Sequence, residues 1–181
     1  MTLIKEKYMK SVVKELQKQF GYSNIMAVPK ITKVTLNVGV GAHTKDAQML
    51  EMIEKTLTVI SGQRPVKTLA RKSIASFKVR EGTVVGMMVT IRGKRMWDFI
   101  DKLVNVSFAR VRDFRGIDES AIDKNGNFSY GFKENVAFPE VTPEEIPSVH
   151  GLQVNITTTA KTHEEGVVMF KLLGFPLKER K

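Results

Sequence analysis

Apolar residues recur at every fourth position near the start of the chain, in the pattern of one face of an α-helix. The spacing predicts an amphipathic helix that ends at Gly21, because glycine readily adopts the left-handed conformation of a helix C-cap. Lys10, Lys14 and Lys18 fall on roughly the opposite side, where we expect a solvated face. The apolar positions are Ile4, Tyr8, Val12, Leu16 and Phe20.

The same period predicts three further helices. One covers residues 45–60 and has Thr44 as a candidate N-cap, and another covers residues 94–105. The last begins at Thr162, whose spacing to Glu165 is that of a capping box, and it ends before Gly174. The positions predicted to face inward from the helix over 45–60 are Leu50, Ile53, Leu57 and Ile60.

Between the helices, polar and apolar residues alternate with the period of a β-strand. The alternating segments read KITKVTLNV, VVGMMVTIR and LQVNITTT; a short strand is also predicted in PVKTLA and a hairpin around NFSYGF. Alternation indicates a sheet with one buried face, which the four helices can cover. We therefore predict an α+β, two-layer fold of one domain over residues 1–181. It has a mostly antiparallel sheet with helices packed on one face, a polar, basic open face and a projecting basic loop.

The predicted open face presents cations and hydrogen-bonding groups able to meet a nucleic-acid backbone and its sugars, namely Lys33, Asn37, Thr90, Arg92 and Asn155. An ordinary hydrated sheet face has a similar composition. The distribution of charge favours binding: residues 1–116 hold 22 Lys and Arg against 9 Asp and Glu, net +13. The remaining residues hold 7 against 10, net −3, within a total of +10. Such polarity indicates a polyanionic partner, a nucleic acid or an acidic membrane.

Composition excludes several classes of function. The chain has no cysteine, which rules out disulfides, thiolate metal sites and cysteine nucleophiles and agrees with a reducing cytoplasm. Its first residues carry charges where a signal peptide needs an apolar run, and no eighteen apolar residues occur in a row. We therefore expect a soluble protein without a targeting segment.

Two motifs resemble ligand sites but lack a required residue. LNVGVGAHTKD has a glycine turn between strand and helix, but Thr44 stands where a dinucleotide fingerprint needs a third glycine. Residues 123–134 have the spacing of a calcium loop, but Phe128 stands where that loop needs glycine. A hairpin turn on Asn125 and Gly126 explains the same residues. With three mutually remote histidines, the sequence predicts no catalytic residue, no metal site and no cofactor.

A basic stretch, ARKSIASFKVREG, lies between the predicted strands PVKTLA and VVGMMVTIR. Its Phe77 could stack on an exposed base while neighbouring cations neutralise phosphates. The alternative is that Phe77 packs under its own loop. The cations are Arg71, Lys72, Lys78 and Arg80.

Longer motifs carry a family resemblance. They are GQRPVKTLARKSIASFKVREG, VTIRGKRMWDFIDKL, RVRDFRGI, NGNFSYGFKE, FPE and the closing TTAKT and LLGFP, in this order along the chain. With them, essentially the whole chain resembles the bacterial form of large-subunit ribosomal protein five, a 5S rRNA binder. The resemblance implies a noncatalytic structural RNA-binding protein of the central protuberance of the cytoplasmic ribosome.

The resemblance also implies RNA-binding residues. In the family, polar residues of the matching LNVG, SGQ and VT motifs bind 5S rRNA, and these are Asn37, Gln63 and Thr90 here. We add Lys33 and Arg92, which share the predicted open face. A basic loop of the family reaches the elbow of tRNA in the peptidyl site. The residues assigned to that loop here are Arg71, Lys72, Ser73, Phe77, Lys78 and Arg80.

The partners implied by the family are 23S rRNA, other 5S rRNA-binding ribosomal proteins, and a protein of the small-subunit head across an intersubunit bridge. One departure is that Phe108 and Ala109 precede RVRDF where the family usually has Leu-Pro, which leaves the local turn unassigned. Two other interpretations stay open. One is a nucleotide-using enzyme built around LNVGVG, and the other is a free RNA chaperone as a second role.

Overall fold

The computed structural model describes residues 3–41, 46–141 and 149–178. The chain forms two compact units whose sequence ranges interleave. The assignment of residues 1–181 to one domain stays a prediction. Unit 1 consists of Met1–Val34, Arg92–Tyr130 and Asn155–Lys181, and unit 2 consists of Thr35–Ile91 and Gly131–Val154.

The described part of the chain contains five strands in one antiparallel sheet, in the order β2-β3-β1-β5-β4. This sheet, together with four helices, confirms the predicted α+β class and is consistent with the two-layer fold. The strand predicted in PVKTLA is present. Where a hairpin was predicted around NFSYGF, the structure has one strand, whose first residue, Phe128, forms an isolated antiparallel bridge with Ile122. The bounds are β1 Ile31–Gly39, β2 Val66–Leu69, β3 Val84–Ile91, β4 Phe128–Phe132 and β5 Leu152–Thr158.

The four helices follow the predicted period. Helix α1 runs without a break through Leu3–Lys7, a π turn at Tyr8–Val12, and Val13–Phe20. Helix α3 is continued by a π turn and a 3-10 turn. None of the helices in the described ranges is long and apolar enough to cross a membrane. The bounds of the other helices are α2 Ala47–Ser61, α3 Gly93–Lys102 and α4 His163–Leu173.

The predicted ends of α1 and α4 are confirmed. Gly21 closes α1 with a left-handed backbone, at φ 68°. At the start of α4, the Thr162 hydroxyl accepts a hydrogen bond from the Glu165 amide at 3.3 Å, and the Glu165 carboxylate accepts one from the Lys161 amide at 2.8 Å. These contacts satisfy backbone donors that the first turn of a helix leaves without partners.

Two helix ends differ from expectation. Asp46 caps α2, and its carboxylate accepts a hydrogen bond from the Met49 amide at 3.1 Å; Thr44 lies outside the described residues. Helical structure after α3 continues to Arg110, beyond the predicted end at residue 105. It includes Phe108 and Ala109, where the family usually has Leu-Pro. Alanine keeps the backbone N–H that proline lacks and so permits helical turns through this segment.

The core of unit 1 is rich in aromatic rings. Phe108, Phe128 and Phe170 are almost fully buried, and Phe175 stands edge-on to each of them or nearly so, at centroid distances of 4.9–6.1 Å. The apolar stripe of α1 is buried as predicted, from Ile4 to Leu16. This packing, rather than helix propensity, stabilises the short helices of the unit.

The hairpin at residues 123–127 replaces the calcium loop that we considered. The Asp123 carboxylate accepts hydrogen bonds from the amides of Asn125 and Asn127 at 2.9 and 2.7 Å. Burial acts to raise the pKa of Asp123, but these bonds and one from the Asn127 side chain outweigh it and lower the pKa. Among the described residues, no cluster of three His, Asp or Glu could hold a metal ion.

In unit 2, α2 packs on β3. Met87, Val89 and Ile91 of β3 are buried, as their alternation predicted. On α2 the predicted stripe is shifted at its start, because Met49 is buried while Leu50 is half-buried. The remaining predicted positions, Ile53, Leu57 and Ile60, are buried.

Candidate nucleic-acid interface

The side of the unit 2 strands that points away from the buried positions carries neutral side chains. We call this surface the open face and define it by Asn37, Val66, Thr68, Met88 and Thr90. Strand β2 pairs antiparallel with β3, so that Val66 lies opposite Met88 and Thr68 lies opposite Gly86. Val66 and Met88 are exposed, while the three polar members are half-buried. The open face is therefore a flat surface of amide, hydroxyl and apolar groups.

Two of its polar side chains converge over Gly86. A Cβ atom at Gly86 would lie 2.8 Å from the Thr68 hydroxyl oxygen, 3.1 Å from the Val38 carbonyl oxygen and 4.0 Å from the Asn37 Oδ1. Real Cβ atoms essentially never approach other heavy atoms as closely as 2.8 Å. The glycine thus leaves open a space that the Thr68 hydroxyl and the Asn37 Oδ1 both border.

The polar side chains of the open face have no partners within the described ranges. The Asn37 carboxamide and the hydroxyls of Thr68 and Thr90 make no hydrogen bond to another described residue. Each of these groups both donates and accepts hydrogen bonds. Half-buried polar groups without internal partners are available to water or to a bound molecule.

Gln63 lies where α2 gives way to β2. Gly62 ends α2 with a left-handed backbone at φ 67°. The Ser61 hydroxyl then holds the next residue, since its oxygen accepts from the Gln63 amide at 3.2 Å and lies 2.9 Å from the Gln63 carbonyl oxygen. The backbone of Gln63 is therefore fixed while its side chain is exposed.

The cations nearest to Gln63 in sequence are neutralised by an acid of α2. Glu54 contacts Arg64 at 2.9 Å and Lys67 at 3.1 Å. Hydrogen bonds from Arg64, and then from Lys67, lower the pKa of Glu54. Glu54 therefore offsets part of the charge of these two cations. Lys67 lies opposite the buried Met87, on the face of the sheet that α2 covers and not on the open face.

Lys33 and Arg92 belong to unit 1, whereas Asn37, Gln63 and Thr90 belong to unit 2. Lys33 is half-buried on β1, and Arg92 is exposed directly before α3. Of the five residues predicted to bind 5S rRNA, unit 2 thus contains the three neutral ones.

Residues 70–83, which we call the basic loop, join β2 to β3 and have an ordered backbone. At its base, the Ala70 amide donates to the Thr83 carbonyl at 2.9 Å, and the Gly82 amide donates to the Ala70 carbonyl at 3.0 Å. Further out, Ile74 and Val79 exchange two backbone hydrogen bonds. These bonds make the loop a continuation of the β2–β3 hairpin with a defined shape.

The tip of the basic loop projects an aromatic ring. A 3-10 turn at Ala75–Phe77 is followed by Lys78 in the left-handed conformation, at φ 53°. The Phe77 side chain is 74% exposed. The ring therefore does not pack under its own loop, and one of the two interpretations left open by the sequence is wrong.

The cations of the basic loop have no acidic partners in the part of the chain that the structure describes. Arg71, Lys72, Lys78 and Arg80 are all exposed, and none forms an ion pair with a described residue. Ser73 has an internal contact instead, because its hydroxyl oxygen accepts a hydrogen bond from the Glu81 amide at 2.9 Å. This hydrogen bond stabilises the shape of the basic loop.

Comparison with known proteins identifies the family. A model of ribosomal protein L5 matches residues 24–80, and a model of the C-terminus of the same ribosomal family matches residues 84–177. The large ribosomal subunit protein uL5 of Colwellia psychrerythraea is 47% identical over 180 residues, covering 99% of both chains. The protein of the same name from Shewanella denitrificans is 45% identical over 179 residues, covering 99% of this chain and 100% of its own.

The chain belongs to the ribosomal protein L5 family. Membership confirms the predicted family and the prediction of a non-enzymatic protein of the large subunit of the cytoplasmic ribosome, with ribosomal RNA as a partner. The two family models meet at the end of the basic loop, between residues 80 and 84. Unit 2 contains residues matched by both models.

Sequence reasoning missed Thr68 and the role of Gly86. The alternation of β2 alone could have placed Thr68 on the same side as Val66. The close approach over Gly86 could not be predicted, because it depends on the register between β2 and β3.

Proposed function

We propose that this member of the L5 family binds 5S rRNA through Asn37, Gln63 and Thr90 and helps attach that RNA to the central protuberance. We further propose that the basic loop contacts tRNA in the peptidyl site. Both assignments start from the family resemblance and gain support from the chemistry of the two surfaces.

The observation that carries the first assignment is the set of unpartnered side chains on the open face. Asn37 and Thr90 are half-buried, neutral and without hydrogen-bond partners among the described residues. Neutral donor–acceptor groups recognise sugar hydroxyls and base edges, and such contacts fix the register of an RNA. A surface that contacts only solvent more often carries charged side chains, as the exposed side of α1 does with its lysines.

The second assignment is supported by exposure and charge. Four cations of the basic loop lack acidic partners within the described ranges, and Phe77 projects among them. Cations neutralise phosphates, and an exposed ring stacks on an unpaired base or packs against a sugar. A partner held mainly by charge can leave again, as tRNA must.

Lys33 and Arg92, which strand alternation placed on the predicted open face, would add phosphate contacts to 5S rRNA. Other contacts are proposed from the family alone. The remaining partners would be 23S rRNA, other 5S rRNA-binding ribosomal proteins, and a protein of the small-subunit head across an intersubunit bridge.

The deciding experiment is to express the tagged chain in bacteria, separate ribosomal subunits by sedimentation, and probe the chain's fractions for 5S rRNA at moderate salt. We expect the chain in the large-subunit peak, and we expect the free chain to bind purified 5S rRNA in preference to an unrelated RNA of equal length. Absence of the chain from the large-subunit peak, together with no measurable binding to 5S rRNA, would overturn the proposal. Binding to any RNA without preference would instead favour the chaperone interpretation.

A further inference from the structure

Thr68 is a polar residue of the open face that no prediction had included. It lies on β2, directly opposite Gly86 of β3. Its hydroxyl oxygen and the Asn37 Oδ1 both lie within 4.0 Å of the point that a Gly86 Cβ would occupy. The hydroxyl has no hydrogen-bond partner among the described residues. Asn37 and Thr68 are therefore two unsatisfied groups, on two different strands, that border the same space above Gly86.

From this geometry we infer that Thr68 is a further RNA-binding residue of the open face, that its hydroxyl contacts a ribose 2′-hydroxyl beside the group held by Asn37, and that Gly86 positions both side chains. The inference rests on the proposed function, because it assigns further residues to the same site.

The chemistry of the pair favours a ribose over a phosphate. A 2′-hydroxyl both donates and accepts, and it therefore matches a threonine hydroxyl beside a carboxamide. A phosphate accepts hydrogen bonds and attracts cations, but Lys67, which precedes Thr68 on β2, lies opposite the buried Met87 on the other face of the sheet and is paired there with Glu54 at 3.1 Å.

The shape of the surface agrees with a double-helical RNA. The minor groove of an A-form helix is wide and shallow and displays 2′-hydroxyls along its edges. Val66 and Met88, an exposed cross-strand pair beside Thr68 and Gly86, form a flat apolar margin that a sugar can pack against. None of the five residues that define the open face is charged.

Gly86 acts through its neighbours and is a positioning residue. An alanine methyl group would lie 2.8 Å from the Thr68 hydroxyl oxygen and 3.1 Å from the Val38 carbonyl oxygen. The Val38 carbonyl belongs to the backbone and cannot move aside easily, so the Thr68 side chain must rotate. Rotation of Thr68 removes its hydroxyl from the vicinity of Asn37.

The test compares Thr68→Val with Thr68→Ser in equilibrium binding to 5S rRNA. Valine keeps the branched shape and suits a strand, whereas serine keeps the hydroxyl. We expect Thr68→Val to bind about fivefold more weakly, in line with one lost hydrogen bond, and Thr68→Ser to retain most of the affinity. Thermal unfolding of both variants establishes that they fold.

The ribose contact is tested with four 5S transcripts, in each of which one of the four nucleotides carries 2′-deoxyribose. With at least one of these transcripts, we expect the wild-type chain to bind more weakly than it binds unmodified 5S rRNA, and Thr68→Val to bind both RNAs equally. If Thr68→Val binds every modified transcript more weakly than the wild-type chain does, by the same factor as on unmodified RNA, the ribose contact is wrong. Gly86→Ala should behave like Thr68→Val on all four, and wild-type binding by it would refute the positioning role.

Asn37→Ala separates this inference from the function on which it rests. If Asn37→Ala weakens binding and Thr68→Val does not, the role of Thr68 is refuted and the proposed site stands. If neither variant changes the affinity, both the site and its extension fail.

Discussion

The β2–β3 hairpin of unit 2 carries the basic loop and, together with Asn37 of β1, the open face, but the two surfaces present different chemistry to a partner. The open face has neutral side chains, and the cations beside Gln63 are paired with Glu54. The basic loop has four exposed cations without acidic partners in the described chain. The same two strands, β2 and β3, therefore support one surface that recognises shape and another that attracts charge.

The difference leads to distinct responses to salt. Each phosphate neutralised by a cation contributes roughly 0.7 to 0.9 to the slope of log affinity against log salt. Hydrogen bonds between neutral groups contribute almost nothing to that slope. A stable rRNA contact on the open face should consequently survive high salt, while a tRNA contact through the basic loop should weaken.

The largest effect is expected from removing charge in the basic loop. Lys72, Lys78 and Arg80 replaced together by alanine should impair tRNA binding in the peptidyl site of assembled ribosomes and lower its salt slope by about 2, because up to three phosphates lose a cation. Binding of free 5S rRNA should be unchanged. The measurement is tRNA affinity for purified ribosomes at several salt concentrations.

The matched control removes the same charge from another exposed surface. Lys10, Lys14 and Lys18 lie on α1 and are exposed. Their triple alanine variant should leave tRNA binding unchanged. Equal loss in both triple variants would mean that net charge, and not the position of the basic loop, determines tRNA binding.

The next effect concerns the ring at the tip of the loop. Phe77→Leu should weaken tRNA placement without changing the salt slope, since a stacked base contributes about 1–3 kcal/mol that salt does not screen. Phe77→Tyr should restore binding, because it keeps the aromatic ring. If leucine binds tRNA as well as phenylalanine does, the ring makes no stacking contact.

Much of the β2–β3 hairpin could be predicted from sequence, because buried residues recur with the two-residue period of a β-strand. The alternation in VVGMMVTIR placed Val85, Met87, Val89 and Ile91 on one face; the last three are buried and Val85 is half-buried. The stop at Gly21 and the capping box at Thr162 could be predicted for a similar reason, since both depend on contacts within a few residues.

Two kinds of feature could not be predicted in this way: those for which local spacing allows more than one residue, and those that depend on distant contacts. Asp46 and Thr44 are both good N-caps, and the spacing of apolar residues does not choose between them. The pairing of Lys67 with Glu54 joins a strand to a helix, so counting charges along the chain could not show that an acid of α2 offsets part of this charge. The exposure of Phe77 likewise follows from the fold of the whole loop.

A smaller effect is expected on the open face. Asn37→Ala and Thr90→Ala should each weaken 5S rRNA binding by about 1 kcal/mol, the net value of one hydrogen bond. The loss should be the same at low and high salt, because neither residue carries charge. Filter binding at three salt concentrations measures it, with thermal unfolding as the check on folding. A loss that vanishes at high salt would place these residues in an electrostatic surface instead.

The contrast between the two surfaces can also be reduced by one substitution. Glu54→Gln releases Arg64 and Lys67 from their acid, beside Gln63. We expect binding of unrelated RNA to strengthen a few-fold at low salt, with a slope steeper by roughly 1 to 2. Glu51→Gln changes charge equally on the same helix, at an exposed acid that has no ion pair with a described residue, and should have no such effect. Identical slopes for the two variants would show that Glu54 does not control the charge of this surface.

The smallest effect is on stability. Hydrogen bonds from Arg64 and Lys67 lower the pKa of Glu54 in the folded chain, so its contribution is present above its ordinary pKa of 4.5 and is lost as pH falls through the folded value. The side chain of Arg64 is 84% exposed, and solvent therefore limits the contribution to about 0.5 kcal/mol or less. Urea unfolding should show wild type slightly more stable than Glu54→Gln at pH 7 and equal to it well below pH 4.5. A difference that persists in acid would have to come from packing of the side chain, because protonation of Glu54 has by then removed both ion pairs.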